Sequence, residues 1–242
     1  MKAMIFAAGR GERMRPLTDT CPKPLLPVGG KPLIVRTIEA LVRAGLTDIV
    51  INHAWLGAQI EQALGDGSRF GATIAWSAEG AEGLETAGGI ARAMPLLRPV
   101  PGRDDATGEV FLAVSGDIFC DFDFRTLLPV ARRMAGAARP GMHLVMVPNP
   151  PFHPQGDFAL DDSGRLWLPA DAPAEGVQTL TFGNIGLYDL RTFADIEPGR
   201  KIAMTPYYRA AIAAGLASGE RYDGRWENVG TPAQLAALDA QL

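Results

Sequence analysis

The sequence predicts an α/β protein built on a mainly parallel sheet that helices cover on both faces. Short β-branched runs alternate with segments that carry apolar residues at helical spacing, a pattern typical of βαβ units. Hydrophobic residues make up 47% of the 242 residues, enough for a full core, and we expect one domain over residues 1–242. The second half is less regular, and we expect antiparallel strands inserted there.

The first half alternates regularly. The apolar run Ala3–Ala8 predicts a buried strand, and an ordered loop with four Gly and four Pro follows it as far as Gly30. Apolar residues at i, i+4, i+7 and i+8 from Ile34 predict a helix that begins at Pro32 and ends at Gly45. The other elements predicted here are strands at Asp48–Asn52, Ala72–Ser77 and Val110–Val114, and helices at about Leu56–Leu64 and Thr86–Leu97. Residues 100–109 are predicted to form a surface excursion.

The second half is predicted to mix hairpins with helices. A hairpin over Asp157–Leu168 turns at Asp162-Ser163-Gly164, because such residues favour tight turns. The other predicted strands are Met142–Val147, Thr179–Tyr188 and Tyr222–Val229, and the predicted helices are Pro206–Leu216 and an amphipathic closing helix, Pro232–Leu242.

Composition excludes several function classes. With 23 basic and 27 acidic residues the net charge is −4, so we expect no broad basic surface for nucleic acid. The longest apolar run is far shorter than the ~18 residues of a spanning helix, and no secretion signal opens the chain. The pair Cys21 and Cys120 supports neither a disulfide framework nor a zinc cluster. We therefore expect a cytoplasmic protein without a membrane or nucleic-acid partner.

The loop after the first strand is the most informative segment. It reads AAGRGERMRPLT from Ala7 to Thr18, and glycines placed there allow consecutive N–H groups to face phosphate oxygens. Met14 replaces the third glycine of the dinucleotide fingerprint, and no Gly-Lys-Ser/Thr follows, so neither common nucleotide motif fits. A glycine-rich turn without a ligand is the alternative at this stage.

Two further residues favour a phosphate site. Lys23 stands between two prolines, which restrict the backbone around a single cation. A lysine that meets a phosphate in fixed geometry gains from such restriction, and the alternative is a solvated surface lysine. Asp117 follows the predicted strand Val110–Val114, at the edge where open α/β sheets bind ligands, and a carboxylate there is a natural magnesium ligand. The alternative for Asp117 is a cap on the following turn.

The order of AAGRGERMRPLT, PKPL, GD and WENVGT closely resembles the sugar-1-phosphate nucleotidyltransferases, over nearly the whole chain. The stretches VINHAWLGAQIEQALGDGSRFG and LETAGGI further resemble the N-acetylmuramate-1-phosphate uridylyltransferase branch, which serves peptidoglycan recycling. The resemblance implies a Rossmann-like, three-layer, mostly parallel mixed sheet with a small β-rich sugar-binding insertion. It also implies a nucleotide-binding half at about 1–120, a sugar-binding half at about 121–242, and magnesium-dependent attack of a sugar-1-phosphate on UTP.

The resemblance assigns roles to individual residues. Arg13 and Lys23 are the expected catalytic residues, which neutralise phosphate charge. The expected nucleotide contacts are Ala8, Gly9, Gly11, Glu79, Thr86 and Gly88. The expected sugar-phosphate contacts are Asp157, Asn184 and Lys201. The expected Mg²⁺ ligands are Asp117 and Asn228.

Asn228 departs from the family pattern, which usually carries Asp at this position. An amide oxygen can still coordinate Mg²⁺, although the missing charge should weaken metal affinity. The departure leaves three interpretations: an enzyme that works with Asn, an enzyme with altered metal dependence, or a non-catalytic nucleotide-sugar binding module. For the enzyme, the alternative substrates are mannose-1-phosphate with GTP, or glucose-1-phosphate with dTTP or UTP. The chain ends soon after the closing helix, without room for a trimerising β-helix, so we expect a monomer.

Overall fold

The computed structural model describes residues 1–100, 102 and 105–242. The predicted excursion at 100–109 falls partly on positions 101, 103 and 104, which lie outside the described residues. The described strands are β1 (Ala3–Phe6), β2 (Pro27–Val28), β3 (Lys31–Pro32), β4 (Asp48–His53), β5 (Thr73–Ala78), β6 (Val110–Ser115), β7 (Ile118–Cys120), β8 (Met142–Val147), β9 (Phe158–Asp161), β10 (Leu166–Trp167), β11 (Val177–Asp189), β12 (Ala217–Arg221) and β13 (Trp226–Asn228). The described α-helices are α1 (Leu33–Arg43), α2 (Gly57–Leu64), α3 (Glu85–Leu97), α4 (Leu127–Ala135), α5 (Thr205–Ala213) and α6 (Pro232–Asp239).

The centre of the main sheet is parallel, as predicted. Its strands lie in the order β5-β4-β1-β6, and Ile5 stands in register with Ile51 on one side and Val114 on the other. All four strands therefore end at the same edge, which is where ligands bind in open α/β sheets.

The long strand β11 joins this parallel centre to the second half. Its residues 185–189 pair antiparallel with β6, while residues 177–180 pair with β9 of the β9-β10 hairpin. β8 pairs with the other side of β11, and β12 adds to β8 in parallel. The predicted antiparallel insertion is thus continuous with the main sheet through one strand.

Alternate residues of the central strands bury opposite faces, which confirms three layers. Ile5 and Ile51 face a core formed with α1, α2 and α4, whereas Met4 and Val50 face a core formed with α3 and α5. A third cluster includes Met14 of the glycine-rich loop and Leu238 of α6. The closing helix therefore packs behind that loop. None of the helices formed by described residues is long and apolar enough to cross a lipid bilayer.

The structure corrects the predicted elements at the end of the chain. The predicted strand Tyr222–Val229 is confined to Trp226–Asn228, because Tyr222 continues the preceding strand, its N donating to the Met146 carbonyl of β8 at 2.8 Å. A strand that the pattern did not predict, β12, precedes it, and β7 and α4 were also not predicted. Within α6 only Leu238 is fully buried, so the helix lacks the apolar face that an amphipathic helix would have.

Candidate active site

Three cavities adjoin at the carboxyl edge of the parallel strands. We name them by size: the large cavity of about 870 Å³, the middle cavity of about 560 Å³ and the small cavity of about 350 Å³. Arg13 lines both the large and the middle cavity, while Gly9, Arg10 and Asp117 line both the middle and the small one. The three cavities therefore form one groove, with the glycine-rich loop at its centre.

The glycine-rich loop forms the wall of the middle cavity, as its position after β1 predicts. Gly11 has a φ of +68°, and a Cβ there would lie 3.0 Å from Thr18 Cγ2 and 3.2 Å from Lys23 Cβ. The Thr18 hydroxyl donates to the Gly11 carbonyl at 2.8 Å, which closes the loop on itself. Gly9 is different, because a Cβ there would meet no described atom within 4 Å. Gly11 is thus fixed by packing, and Gly9 faces open space.

Lys23 and Asp117 form an ion pair in this cavity. Lys23 Nζ lies 2.5 Å from Asp117 Oδ2, and the side chains are 10% and 30% exposed. Lys23 opens a short 3₁₀ turn that ends at Leu25 between flanking extended residues, so its backbone is held as the two prolines predict. Among the described residues, the hydrogen-bond donor to the Asp117 carboxylate is Lys23 and not a turn amide, which disfavours the turn-cap alternative.

Asp117 immediately precedes β7, Asn228 ends the neighbouring strand β13, and both side chains carry oxygen donors that suit a magnesium ion. Asn228 stands opposite Ile118 in the β7-β13 ladder, and Val229 N donates to the Asp117 carbonyl at 3.3 Å. Asn228 lines the large cavity, whereas its neighbour Glu227 is exposed and lies outside it. One carboxylate and one amide oxygen match the hard donors that Mg²⁺ takes from protein, the remaining ligands coming from phosphate oxygens and water. The residues present fit the ion.

Glu79 lines the small cavity and is held there by hydrogen bonds to both of its carboxylate oxygens. It is buried, its Oε1 accepts from Asn52 Nδ2 at 2.6 Å, and its Oε2 accepts from Leu84 N at 2.7 Å. Asn52 Oδ1 in turn accepts from Ala7 N at 2.9 Å. Burial raises the pKa of the Glu79 carboxyl, and the hydrogen bonds from Asn52 and Leu84 oppose that rise. Both carboxylate oxygens are thus engaged within the chain and tie the ends of β1, β4 and β5 to the start of α3.

Lys201 lies away from the other predicted sugar-phosphate residues. It lines the small cavity with Ala8 and Thr86, not the large cavity. Its segment is held against α3, because Ile202 O accepts from Gly88 N at 3.1 Å and a Cβ on Gly88 would lie only 2.1 Å from Arg200 O. Gly88 lines none of the three cavities among the described residues. Its contact with the chain around Lys201 explains why glycine is required.

Asp157 and Asn184, two of the expected sugar-phosphate contacts, line the large cavity together. Asp157 Oδ1 lies 3.1 Å from His153 Nε2, and its Oδ2 accepts from Phe182 N at 2.8 Å. Asn184 has a φ of +57°, which Asn tolerates better than most residues, and it sits where the β8-β11 register shifts. Asp157 therefore fixes the backbone of Phe182 in the cavity wall and contacts the His153 ring. Asn184 lies at the β-bulge and lines the same cavity.

Aromatic and basic side chains also line the large cavity. The Tyr208 ring packs edge-on against Phe158 and Phe182 at 5.6 Å and 5.5 Å, and burial raises the pKa of its hydroxyl. His153 and Arg209 bring basic groups to the same cavity. Sequence reasoning did not assign either residue, because a histidine in a loop and an exposed arginine on α5 carry no local signal of a site.

Taken together, the fold and groove define an α/β protein in which a glycine-rich loop and two cations lie between a small and a large cavity at the carboxyl edge of the parallel strands. The Nucleotidyl transferase family model matches residues 2–166, about two thirds of the chain, and the chain belongs to this family. It is 48% identical over 242 residues to the N-acetylmuramate alpha-1-phosphate uridylyltransferase of Neisseria meningitidis, covering 99% of this chain and 97% of that protein.

More distant relatives share parts of the chain or its fold. The UTP--glucose-1-phosphate uridylyltransferase of Synechocystis is 33% identical over 196 residues, which are 78% of this chain and 48% of that protein. A crystal structure from Bacillus anthracis, solved with sucrose, superimposes with a TM-score of 0.79 at 21% identity and covers 100% of this chain and 94% of that one. The last likeness confirms the predicted fold.

Proposed function

We propose that this protein joins UTP and N-acetylmuramate α-1-phosphate to give UDP-N-acetylmuramate and pyrophosphate, a step of peptidoglycan recycling. The Neisseria relative, which matches over both chains' lengths, carries the name of this activity. The observation that carries the proposal is the single groove in which Arg13 and the Lys23–Asp117 pair lie between a small and a large cavity.

The reaction is one displacement at phosphorus. An oxygen of the sugar-1-phosphate attacks the α-phosphorus of UTP, a new P–O bond forms, and the bond from that phosphorus to the oxygen bridging to the β-phosphate breaks. Pyrophosphate leaves with the electron pair. No nucleophilic side chain is needed, since positioning and charge stabilisation dominate such transfers.

The chain's own residues supply those two contributions. The loop around Gly9 and Gly11 presents backbone N–H groups to the triphosphate in the middle cavity, and Arg13 neutralises charge on the departing pyrophosphate. Lys23 braces the α-phosphate. Ala8, Thr86 and the backbone near Glu79 border the base, and Lys201, on the small-cavity side, neutralises phosphate from there. Gly88 acts indirectly, by letting the chain around Lys201 pack against α3.

Asp117 and Asn228 would hold Mg²⁺ at the junction of the cavities. The ion, when bound, acts as a Lewis acid on phosphate oxygens. Because Lys23 contacts the same carboxylate, Asp117 aligns the lysine as well as serving the metal.

The large cavity supports the choice of sugar. N-acetylmuramate carries a lactyl carboxylate that glucose, mannose and N-acetylglucosamine lack. Arg209 and His153 offer basic groups for that carboxylate, and Asp157 and Asn184 offer polar groups for the sugar. Glucose-1-phosphate and mannose-1-phosphate have no carboxylate on the sugar to engage Arg209, which argues against these two alternatives.

The test is pyrophosphate release with magnesium, scanning UTP, dTTP and GTP against the 1-phosphates of N-acetylmuramate, N-acetylglucosamine, glucose and mannose. We expect the highest kcat/KM with UTP and N-acetylmuramate-1-phosphate. A higher value with another pair would transfer the proposal to that pair. Product binding without turnover anywhere in the grid would favour the non-catalytic alternative.

A further inference from the structure

Trp55 connects the end of β4 to the glycine-rich loop. Its indole Nε1 donates to the Thr18 carbonyl at 3.0 Å. Thr18 is buried, and its hydroxyl holds the Gly11 carbonyl at 2.8 Å. Two successive hydrogen bonds therefore run from Trp55 to the centre of the loop. Trp55 itself is not among the described residues that line the three cavities, so it contacts the groove only through this loop.

Arg10 rests on the same tryptophan. Its Cζ lies 4.6 Å from the centroid of the Trp55 ring, within the range of a cation–π contact. The side chain is exposed, and within the described part of the chain no hydrogen bond or ion pair of its guanidinium is found. Arg10 thus carries a free charge, held over an aromatic ring, on the wall that the middle and small cavities share.

The charges around Arg10 indicate which cavity takes an anion. The small cavity sets four carboxylates against two cations, since Glu79, Glu82, Glu85 and Asp117 line it with Arg10 and Lys201. The middle cavity sets Arg10, Arg13 and Lys23 against Glu12 and Asp117, and Asp117 is already paired with Lys23. An anion beside Arg10 is therefore favoured in the middle cavity, where the phosphates of a nucleoside triphosphate would lie.

We propose that Arg10 is a further triphosphate-binding residue and that Trp55 positions it and the loop. The inference rests on the proposed function. An arginine loses much rotamer freedom when it engages a phosphate, and stacking on the indole removes part of that freedom beforehand. Arg10 then meets the phosphates that leave as pyrophosphate, beside Arg13, while Trp55 holds the Gly11 region through Thr18.

The test compares Arg10→Gln, Trp55→Leu and the double variant in KM for UTP and in the Kd of pyrophosphate. Losing one charge-assisted hydrogen bond should raise both the KM for UTP and the Kd of pyrophosphate by roughly tenfold or more. We expect an unchanged KM for the sugar phosphate and an unchanged urea midpoint for Arg10→Gln. Trp55→Leu should raise the same two constants, and in the Arg10→Gln background it should raise them much less. Trp55→Phe keeps the aromatic face and should retain most of the Arg10 contribution.

Arg69→Ala is the matched control. Arg69 stacks on Phe70 at 4.5 Å but lies outside the cavities, so its loss should leave both constants unchanged. If UTP turns over normally and Arg10→Gln matches the parent in pyrophosphate binding, this inference is wrong while the proposed function stands. Equal effects of Trp55→Leu with and without Arg10 would overturn the role of Trp55 in positioning Arg10, and no effect of Trp55→Leu in either background would overturn its role in holding the loop as well. If the parent binds neither UTP nor pyrophosphate, the proposed function and the inference both fail.

Discussion

The ion pair with Asp117 fixes the position of the Lys23 ammonium. Lys23 Nζ is held by Asp117 at 2.5 Å, so the cation is already aligned before substrate arrives. Removing one preorganised charge donor costs ~2–4 kcal/mol of transition-state stabilisation, which is roughly 30- to 1000-fold in kcat/KM. We expect Lys23→Ala and Arg13→Ala each to fall in this range in a pyrophosphate-release assay.

Lys31→Ala serves as the control for that pair. Lys31 also pairs with a carboxylate, Glu39, at 2.7 Å, but it lies outside the three cavities. Its loss should leave kcat/KM unchanged. Full activity of both Lys23→Ala and Arg13→Ala would refute their catalytic assignment.

The proposed role of Asn228 as a ligand leads to a prediction about the Mg²⁺ requirement. Asn228→Asp places a second carboxylate opposite Ile118, the residue after Asp117, and added negative charge should strengthen Mg²⁺ binding. We expect the Mg²⁺ concentration that gives half-maximal rate to fall. The control is Glu227→Gln, which removes a charge one residue away on the exposed side of the strand. An unchanged Mg²⁺ requirement in Asn228→Asp would exclude residue 228 as a ligand.

Arg209 makes a prediction about the sugar. In Arg209→Gln, kcat/KM for N-acetylmuramate-1-phosphate should drop by roughly tenfold or more, because a charged hydrogen bond to the lactyl carboxylate is lost. The rate with N-acetylglucosamine-1-phosphate should change little. Arg133→Gln, a substitution in α4 away from the large cavity, provides the matched control. Parallel losses with both sugars would place Arg209 on the phosphate or in the fold instead.

At the scale of elements, the β9-β10 hairpin depends on one charge. Asp161 accepts hydrogen bonds from Ser163, from Arg165 N and from Trp167 Nε1, and the Ser163 hydroxyl is the leading cause that lowers its pKa from 3.8 to about 2. Because the folded pKa lies below the unfolded one, the unfolded chain binds more protons in this window. The stabilisation is complete above pH ~4 and is lost as the pH falls toward 2.

Asp161→Asn should therefore lower the urea midpoint at neutral pH, and its difference from the parent should shrink as the pH falls below about 4. Asp162→Asn, which removes a charge from the adjacent residue of the same turn, should show no such convergence. A constant gap between Asp161→Asn and the parent from pH 7 to pH 3 would contradict the assignment.

Elements with a strong local pattern were predictable, and elements fixed by distant contacts were not. α1 and β8 follow from apolar spacing, and β8 has the predicted bounds. β12 reads ASGER, whose glycine and charges carry no strand signal, and it forms because β8 offers a parallel edge. β7 is three residues long and depends on pairing with β13.

The same distinction holds in the site. The glycine-rich loop, Lys23 and Asp117 were predictable because each follows a local rule of chain chemistry. The position of Lys201 in the small cavity depends on how residues 200–202 pack on Gly88, which no local pattern contains. In the sequence, Glu79 and Asn52 are polar residues near strand ends and carry no signal of an interaction. They form a buried hydrogen bond only because the fold brings β4 and β5 side by side.

At the scale of the molecule, the two halves of the chain contribute strands to one sheet. β6 of the first half is paired on one side by β11 of the second, and its residues are nearly all buried. A fragment of residues 1–121 would expose that edge, which favours aggregation. We expect it to be insoluble alone and to regain pyrophosphate release when produced together with residues 122–242.

A break elsewhere gives the control. Residues 173–176 are exposed and precede β11, so cutting the chain there leaves all strand pairs intact. Those two pieces should stay associated and active. A soluble 1–121 fragment with cooperative unfolding would show that the first half folds independently.

The placement of Lys201 has a consequence for exchanging substrate preference between relatives. The second half carries Lys201 into the small cavity, and the first half carries Arg13 into the large one. A chimera that takes residues 121–242 from a relative with another sugar would therefore also alter the surroundings of the nucleotide. With the substrates placed as proposed, we expect preference for sugar and preference for base to be coupled, so that transplanting either one cleanly requires changing side chains on both halves.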